Sequence, residues 1–269
     1  MKNVLYKAYK FSSSWTGTII IVLFVIFFIA QAFRIPSGSM KDSLLIGDHL
    51  FAKKFAYGIS MPHIPFLELS IMPWSDKLRL VDGDRPQHGD IVIFRYPGNT
   101  KQHFVKRCVA LPGDELFVAN KDLFIHFAQG NDWIKENYKD FEIALYDEKL
   151  WVKNPYMKDH PGIHHDDKII NDGNYPMPVF YMNPITVQED TYFMMGDNRD
   201  HSNDSRFWGA VPYDNIEGTP WFIYFSIDDN WEIRWDRVGK TPTDLEAPEH
   251  LNKAIEERQR TDKEYYGIT

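Results

Sequence analysis

Phe104-Val105-Lys106-Arg107-Cys108-Val109-Ala110-Leu111-Pro112-Gly113-Asp114 holds a short apolar run interrupted by a lysine and an arginine and stopped by a Pro-Gly-Asp turn. A run this short, bounded this way, reads as a strand. Alternation puts Phe104, Lys106 and Cys108 on one face and Val105, Arg107 and Val109 on the other. One of two adjacent cations must therefore share a face with core residues. Taken alone, Lys106 reads as an edge-strand lysine whose stem snorkels to water, or as an amine desolvated for a purpose.

Working outward, similar runs stand at 49–55, 91–96, 116–119, 192–195, 221–227 and 231–237, separated by Pro-Gly, Gly-Asp and Asp-Asn signals. The last two, joined through Asp228-Asp229-Asn230, predict a β-hairpin. Residues 120–189 are rich in Tyr, Trp, Asp and Pro without a long helical period, and predict a β-rich insertion. The segment 59–80, with Ile64-Pro65-Phe66-Leu67 and Ile71-Met72-Pro73-Trp74, reads as a hairpin over the core, or else as an apolar loop dipping into a bilayer interface. From Thr241 onward seven acidic and four basic residues accompany few apolar ones, which predicts an exposed helix or a disordered end. The fold class is mostly β.

The chain has 269 residues with 43% hydrophobic content, enough for one or two domains with a buried core. Thirty Lys+Arg against 38 Asp+Glu leave a net charge of −8, the wrong sign for a nucleic-acid binder. The single cysteine, Cys108, excludes an intramolecular disulfide and a multi-cysteine zinc site.

At the N-terminus Lys2, Lys7 and Lys10 precede an uncharged stretch, residues 16–33, wholly apolar from Ile19 to Ile29. Eighteen helical residues would cover roughly 27 Å, near a bilayer's hydrocarbon thickness, with Trp15 and Arg34 at the interfaces. The basic end predicts a cytoplasmic N-terminus. Ala30-Gln31-Ala32 also offers the small residues of a signal-peptide cleavage site, so an uncleaved span and a removed leader fit this stretch equally.

Three segments concentrate chemistry. In Ile35-Pro36-Ser37-Gly38-Ser39-Met40 a serine beside glycine has an exposed hydroxyl and an approachable backbone N–H, although Ser-Gly-Ser is also an ordinary linker. The second is the Lys106 strand. The third, Gly196-Asp197-Asn198-Arg199-Asp200-His201-Ser202-Asn203-Asp204-Ser205-Arg206, is a dense polar loop that alone reads as self-braced, cation-binding or merely solvated. No Gly-x-Ser-x-Gly elbow or Ser-x-x-Lys motif surrounds Ser39, which argues against an α/β-hydrolase or a β-lactamase-like enzyme. His164-His165-Asp166-Asp167 lacks zincin spacing and reads as a solvated loop.

Together the three segments resemble the bacterial type I signal peptidases, membrane-bound Ser-Lys serine proteases. Pro36-Ser37-Gly38-Ser39-Met40 is similar to the nucleophile motif, His88-Gly89-Asp90-Ile91-Val92-Ile93-Phe94 to a structural strand, and Val105-Lys106-Arg107 with Leu111-Pro112-Gly113-Asp114 to the base motif. Gly196-Asp197-Asn198-Arg199-Asp200, with Ser202, Asp204, Ser205 and Arg206, resembles the last box. All stand in family order between about Ile35 and Asp236.

The resemblance implies Ser39 as nucleophile, Lys106 as general base, the Ser39 N–H and Ser37 hydroxyl as oxyanion hole, and Ser202 as the hydroxyl that orients the lysine. It implies Asp197 paired with Arg107 and Asp204 with Arg206 in structural support, and neither metal nor cofactor. Lys41-Asp42-Ser43 after Met40 departs from the family pattern, as does the lack of a second cysteine. The implied architecture is a cytoplasmic N-terminus and transmembrane anchor (1–33), a catalytic β domain (34–119 and 190–240), an inserted β-rich subdomain (120–189) and a polar C-terminal tail (241–269). The resemblance thus favours a retained single-pass anchor in the cytoplasmic membrane, with the catalytic domain on its extracytoplasmic side. Its implied partners are the bilayer and exported preproteins, cut after small residues at −1 and −3. An inactive membrane-tethered β-module would need no such set of Ser37, Ser39, Lys106 and Ser202.

Overall fold

The twelve-residue strand Asn99–Ala110 organises the molecule, and the computed structural model describes residues 2–64, 69–71, 74 and 79–266 around it. One seven-stranded antiparallel sheet runs in the order Ala30–Arg34, Asp48–Lys53, Ile216–Ser226, Ile91–Tyr96, Asn99–Ala110, Thr191–Met195, Val211–Pro212. A second sheet of five strands is ordered Ile143–Tyr146, Lys149–Lys153, Asp122–His126, Glu115–Ala119, Tyr181–Thr186. It begins at Glu115, so the strand read from sequence as the last of the first catalytic segment pairs with the inserted region.

Side chains of the central strand enter three apolar clusters. Val109 and Ala110 pack with Phe127 and Val152, Cys108 with Phe94 and Tyr192, and Val105 against Ile91, Ile93 and Met40. Each fully buried aliphatic side chain of this kind contributes roughly 1.5–3 kcal/mol, so the strand's position is strongly held. The turn after it is held by Asp114, fully buried, whose carboxylate accepts from Leu111 N (2.8 Å), Ala128 N (2.9 Å) and His88 Nε2 (2.6 Å). Gly113 at φ +87° supplies the left-handed residue this tight turn requires.

Several expectations need correction. The run 231–237 is not a strand: Ile216–Ser226 has no hairpin partner there beyond a bridge between Ile227 and Ile233, and Trp235–Arg237 coils into a 3₁₀ turn. That turn swings Arg237 inward, where it donates to buried Asp48 at 3.0 and 2.7 Å. A carboxylate with no access to water needs a cation more than the edge needs a strand.

The expected helical span at 16–33 is shortened at its far end. Helix Lys2–Ser12 stops, Ser14 caps a second helix, Trp15–Phe24, by accepting from Gly17 N (3.1 Å), and a π-helical turn, Val25–Ile29, ends it. Ala30–Arg34 is then a strand paired with Asp48–Lys53. Fifteen continuous helical residues make about 22 Å, and among the described residues no helix is long and apolar enough to cross a membrane.

The segment after Thr241 does not hang free. Thr241 caps helix Pro242–Leu245 through a reciprocal box with Asp244, helix Pro248–Tyr266 follows, and Leu245, Leu251 and Ala254 are buried. Of 59–80, residues 65–68, 72–73 and 75–78 lie outside the described residues, so the interfacial-loop reading falls mainly there. Its described flanks pair Gly58–Ser60 with Arg79–Asp82.

Candidate active site

Ser39 sits in a single 3₁₀ turn, Gly38–Met40, entered from an extended Ser37 (φ −135°, ψ 155°). The turn is anchored from below. Met40 and Leu44 are buried in the core, Ile35 N donates to Asp48 O at 2.8 Å, and Asn198 from the polar loop donates its backbone N–H to Ser39 O (3.1 Å) and Nδ2 to Gly38 O (3.0 Å). Ser37 Oγ lies 3.4 Å from Ser39 Oγ, so both hydroxyls face one side.

On that side stands Lys106, whose Nζ donates to Ser39 Oγ at 2.5 Å. The lysine lies directly across from fully buried Val92, is only 4% exposed, and its Nζ lies 5.5 Å from the Phe104 ring centre. Burial lowers its pKa from 10.5 to about 8; Arg206 adds to this, while Asp204 and Asp197 oppose it. Lys106 makes no ion pair with any carboxylate among the described residues, which is why desolvation prevails.

Its neighbour has the opposite surroundings. Arg107 is equally buried, yet it grips Asp197 with two bonds (2.8 and 2.7 Å) and also reaches Gly89 O (2.7 Å) and Glu246 (2.6 Å). Burial disfavours its charge, but Asp197 and Glu246 more than offset that and raise its pKa. Two adjacent cations on opposite faces therefore differ in kind: one is charged and bound, the other is isolated and readily deprotonated.

The polar loop is braced by Asp204 and Arg206 at 2.8 and 2.9 Å, with Gly196 N donating to Asp204 at 3.0 Å. Burial works against ionisation of Asp204, but Arg206, the Gly196 N–H and the Ser202 hydroxyl hold its carboxyl below the usual range. Ser202 is buried close by, and its Oγ makes no hydrogen bond to Lys106 among the described residues. Gly196 is what lets the loop approach: a Cβ there would stand 2.3 Å from Ser202 Oγ and 2.5 Å from Ser39 O.

Ser37, Ser39, Lys106 and Asn198 open into a cleft of about 820 Å³ walled by Phe33, Phe104 and Tyr175. Sequence reasoning quoted Asn198 without giving it a task, and placed Glu246 in a tail. Only the contact with the Ser39 carbonyl shows what Asn198 does. Among the described residues no group of three or more His, Cys, Asp or Glu side chains could hold a metal, and His164 and His165 instead face Asp42 (3.3 Å) and Asp200 (3.2 Å). The chemistry on offer is nucleophilic attack by a hydroxyl whose proton has an amine to receive it.

Residues 9–225 match the family described as signal peptidase, peptidase S26. The signal peptidase I of Helicobacter pylori strain J99 is 42% identical, covering 90% of this chain and 96% of its own length. That of Aquifex aeolicus strain VF5 is 30% identical over 90% and 88%, and that of Pseudomonas fluorescens 33% over 81% and 72%. A solved signal peptidase I from Enterococcus faecalis V583 overlays 51% of the chain and 97% of its own at 24% identity and a TM-score of 0.31, too distant to bear on the fold.

Proposed function

The chain belongs to the signal peptidase S26 family of serine peptidases, and from that premise we propose that it cleaves the signal peptides of exported preproteins with a Ser39–Lys106 dyad. The 2.5 Å contact between Lys106 Nζ and Ser39 Oγ on the floor of the cleft carries this reading. Neutral Lys106 takes the Ser39 proton as Oγ bonds to the scissile carbonyl carbon. The resulting oxyanion meets the Ser39 N–H and the Ser37 hydroxyl. Collapse breaks the C–N bond, and the ammonium of Lys106 gives its proton to the departing amine of the mature protein. Lys106, neutral again, takes a proton from water as its oxygen adds to the ester carbon, then returns that proton to Ser39 Oγ as the ester C–O bond breaks and the signal peptide's new carboxyl terminus is freed. Ser202, packed on Gly196 beside this pair, orients the amine by limiting where it can move.

The catalytic unit we assign to 34–119 and 190–240 supplies all of these groups. Substrate geometry follows from an open edge: Thr191–Met195 pairs with the central strand only at Arg107, Cys108 and Ala110. Among the described residues, the stretch around His103 to Val105 therefore lines the cleft without a strand on that side. An extended peptide adds to such an edge, with alternate side chains turned into the wall. Bulky residues at −1 and −3 would hold the scissile carbonyl away from Ser39.

The proposed anchor is the apolar N-terminal stretch. Ile19 to Phe24 are each 42–55% exposed, leaving no polar face, which suits lipid and not water. Lys7 and Lys10 put the N-terminus in the cytoplasm, and strand Ala30–Arg34 hands the chain directly to Ser39 on the other side. Incubating the purified protein with a preprotein and sequencing the product tests the proposal: a cut after a small residue, lost in Ser39→Ala and in Lys106→Ala, is expected. Cleavage undiminished in either variant would reject the dyad.

A further inference from the structure

The C-terminal segment reaches the active site from behind at three points. Leu245, fully buried, joins the cluster formed by Ile35, Met40 and Leu44, the residues that anchor the Ser39 turn. Glu246 accepts from Arg107 Nη2 at 2.6 Å and faces His160 Nδ1 at 2.9 Å. Arg258, on helix Pro248–Tyr266, lies 2.8 Å from Asp42.

These contacts fall on the neighbours of both reacting groups. Arg107 follows Lys106 in the central strand, and its other bonds run to Asp197, which also accepts from Ser43 Oγ at 2.5 Å. Asp197 precedes Asn198, the residue that binds the Gly38 and Ser39 carbonyls. Asp42 follows Ser39 by three residues, is 1% exposed and holds a left-handed φ of 79°, a conformation that costs an L-residue unless its surroundings enforce it. A second close neighbour, His164, is kept by burial at a pKa of about 4, which favours its neutral form near neutrality. Arg258 brings positive charge to this buried carboxylate.

We propose that this C-terminal segment is a clasp on the active site, with Glu246 and Arg258 as positioning residues that set the distance and dryness of the Ser39–Lys106 pair. The proposal rests on the dyad reading above. The hydrogen-bonded Glu246–Arg107 pair is directional and ties the end of the chain to the strand that carries the base, while the Arg258–Asp42 ion pair, which makes no hydrogen bond among the described residues, ties it by charge to the turn that carries the nucleophile. Loosening them lets both backbones drift and admits water to Lys106, the side chain that burial keeps readily deprotonated.

The test uses the full chain carrying Glu246→Gln, Arg258→Gln or both, with a preprotein substrate. A displacement on the order of 1 Å can cost up to a hundredfold in rate, so kcat should fall about tenfold or more while KM changes less than about twofold. The acidic limb of the kcat profile should move to higher pH as the wetted amine regains basicity, and Arg258→Lys should recover most of the loss. Folded variants with parental kcat and pH profile would overturn the proposal. So would a kcat that falls only with the folded fraction while the limb stays in place. Where a glutamine variant fails to fold, Glu246→Asp, which draws the carboxylate back from Arg107, and Arg258→Ala are measured the same way, and unchanged rate and limb in both would equally overturn it. Ser39→Ala and Lys106→Ala run alongside: turnover in those would reject the dyad itself, whatever Glu246 and Arg258 show.

Discussion

At the residue scale, the proposed chemistry depends on the difference between two adjacent cations, Lys106 and Arg107. The proposed dyad needs neutral Lys106, whose pKa burial lowers to about 8, so kcat should rise with pH and level off above that value. Lys106→Arg should be inactive, because a guanidinium stays protonated at any working pH. The same shift predicts a stability effect. The folded state holds its proton less tightly than the unfolded one, so the cost of burying the charge is fully present below pH 8 and disappears as pH rises through 8 to 10.5. Lys106→Met should thus be more stable than the parent by up to about 3 kcal/mol at pH 7, an advantage that fades by pH 10.5. Denaturant melts at both pH values would check it; an advantage that grew with pH would show the sign to be wrong.

At the element scale, the polar loop is a brace whose failure should reach the serine. Asp204→Ala leaves the Arg206 guanidinium buried and uncompensated, at a cost of roughly 3–5 kcal/mol in a denaturant melt. Gly196→Ala should abolish cleavage, because the new Cβ collides with Ser39 O and Ser202 before the loop can close. Stopped-assay rates near parental for Gly196→Ala would mean that the Ser39 turn has room to yield. The strand edge beside Val105 makes its own prediction for substrates: replacing a small −1 residue by Phe should lower kcat/KM at least a hundredfold, read by quantifying cleaved preprotein.

At the scale of the whole molecule, strands of the seven-stranded sheet, the Ser39 turn and the polar loop line the cleft, and the N-terminal apolar helix leads through a π-helical turn into that sheet's first strand. The apolar helix should tether the molecule. Ile21→Asp with Leu23→Asp adds about 3 kcal/mol of insertion cost per charge, so this variant should wash from membranes in carbonate while still cutting a soluble peptide. Retention of the doubly charged chain in the pellet would count against the anchor.

Much of the chemistry was legible along the chain, because strand alternation and turn residues act between near neighbours. Val105, Lys106 and Arg107 had to lie on opposite faces of a strand ended by Pro112-Gly113, whatever else the molecule did. The positions of Ser39, Lys106 and the polar loop in the sequence likewise marked a family. Contact geometry across the fold was not legible in the same way. That Asn198 binds the Ser39 carbonyl, that Glu246 joins Asp197 on Arg107, and that 231–237 curls inward to Asp48 all depend on partners distant in sequence. The C-terminal segment shows the limit most clearly: its composition is that of a solvated end, and contacts such as Leu245 in the core, Glu246 on Arg107 and Arg258 at Asp42 draw it in. Local pattern determines which face a residue can occupy, while burial and charge compensation, which exist only after distant segments meet, decide what that residue becomes.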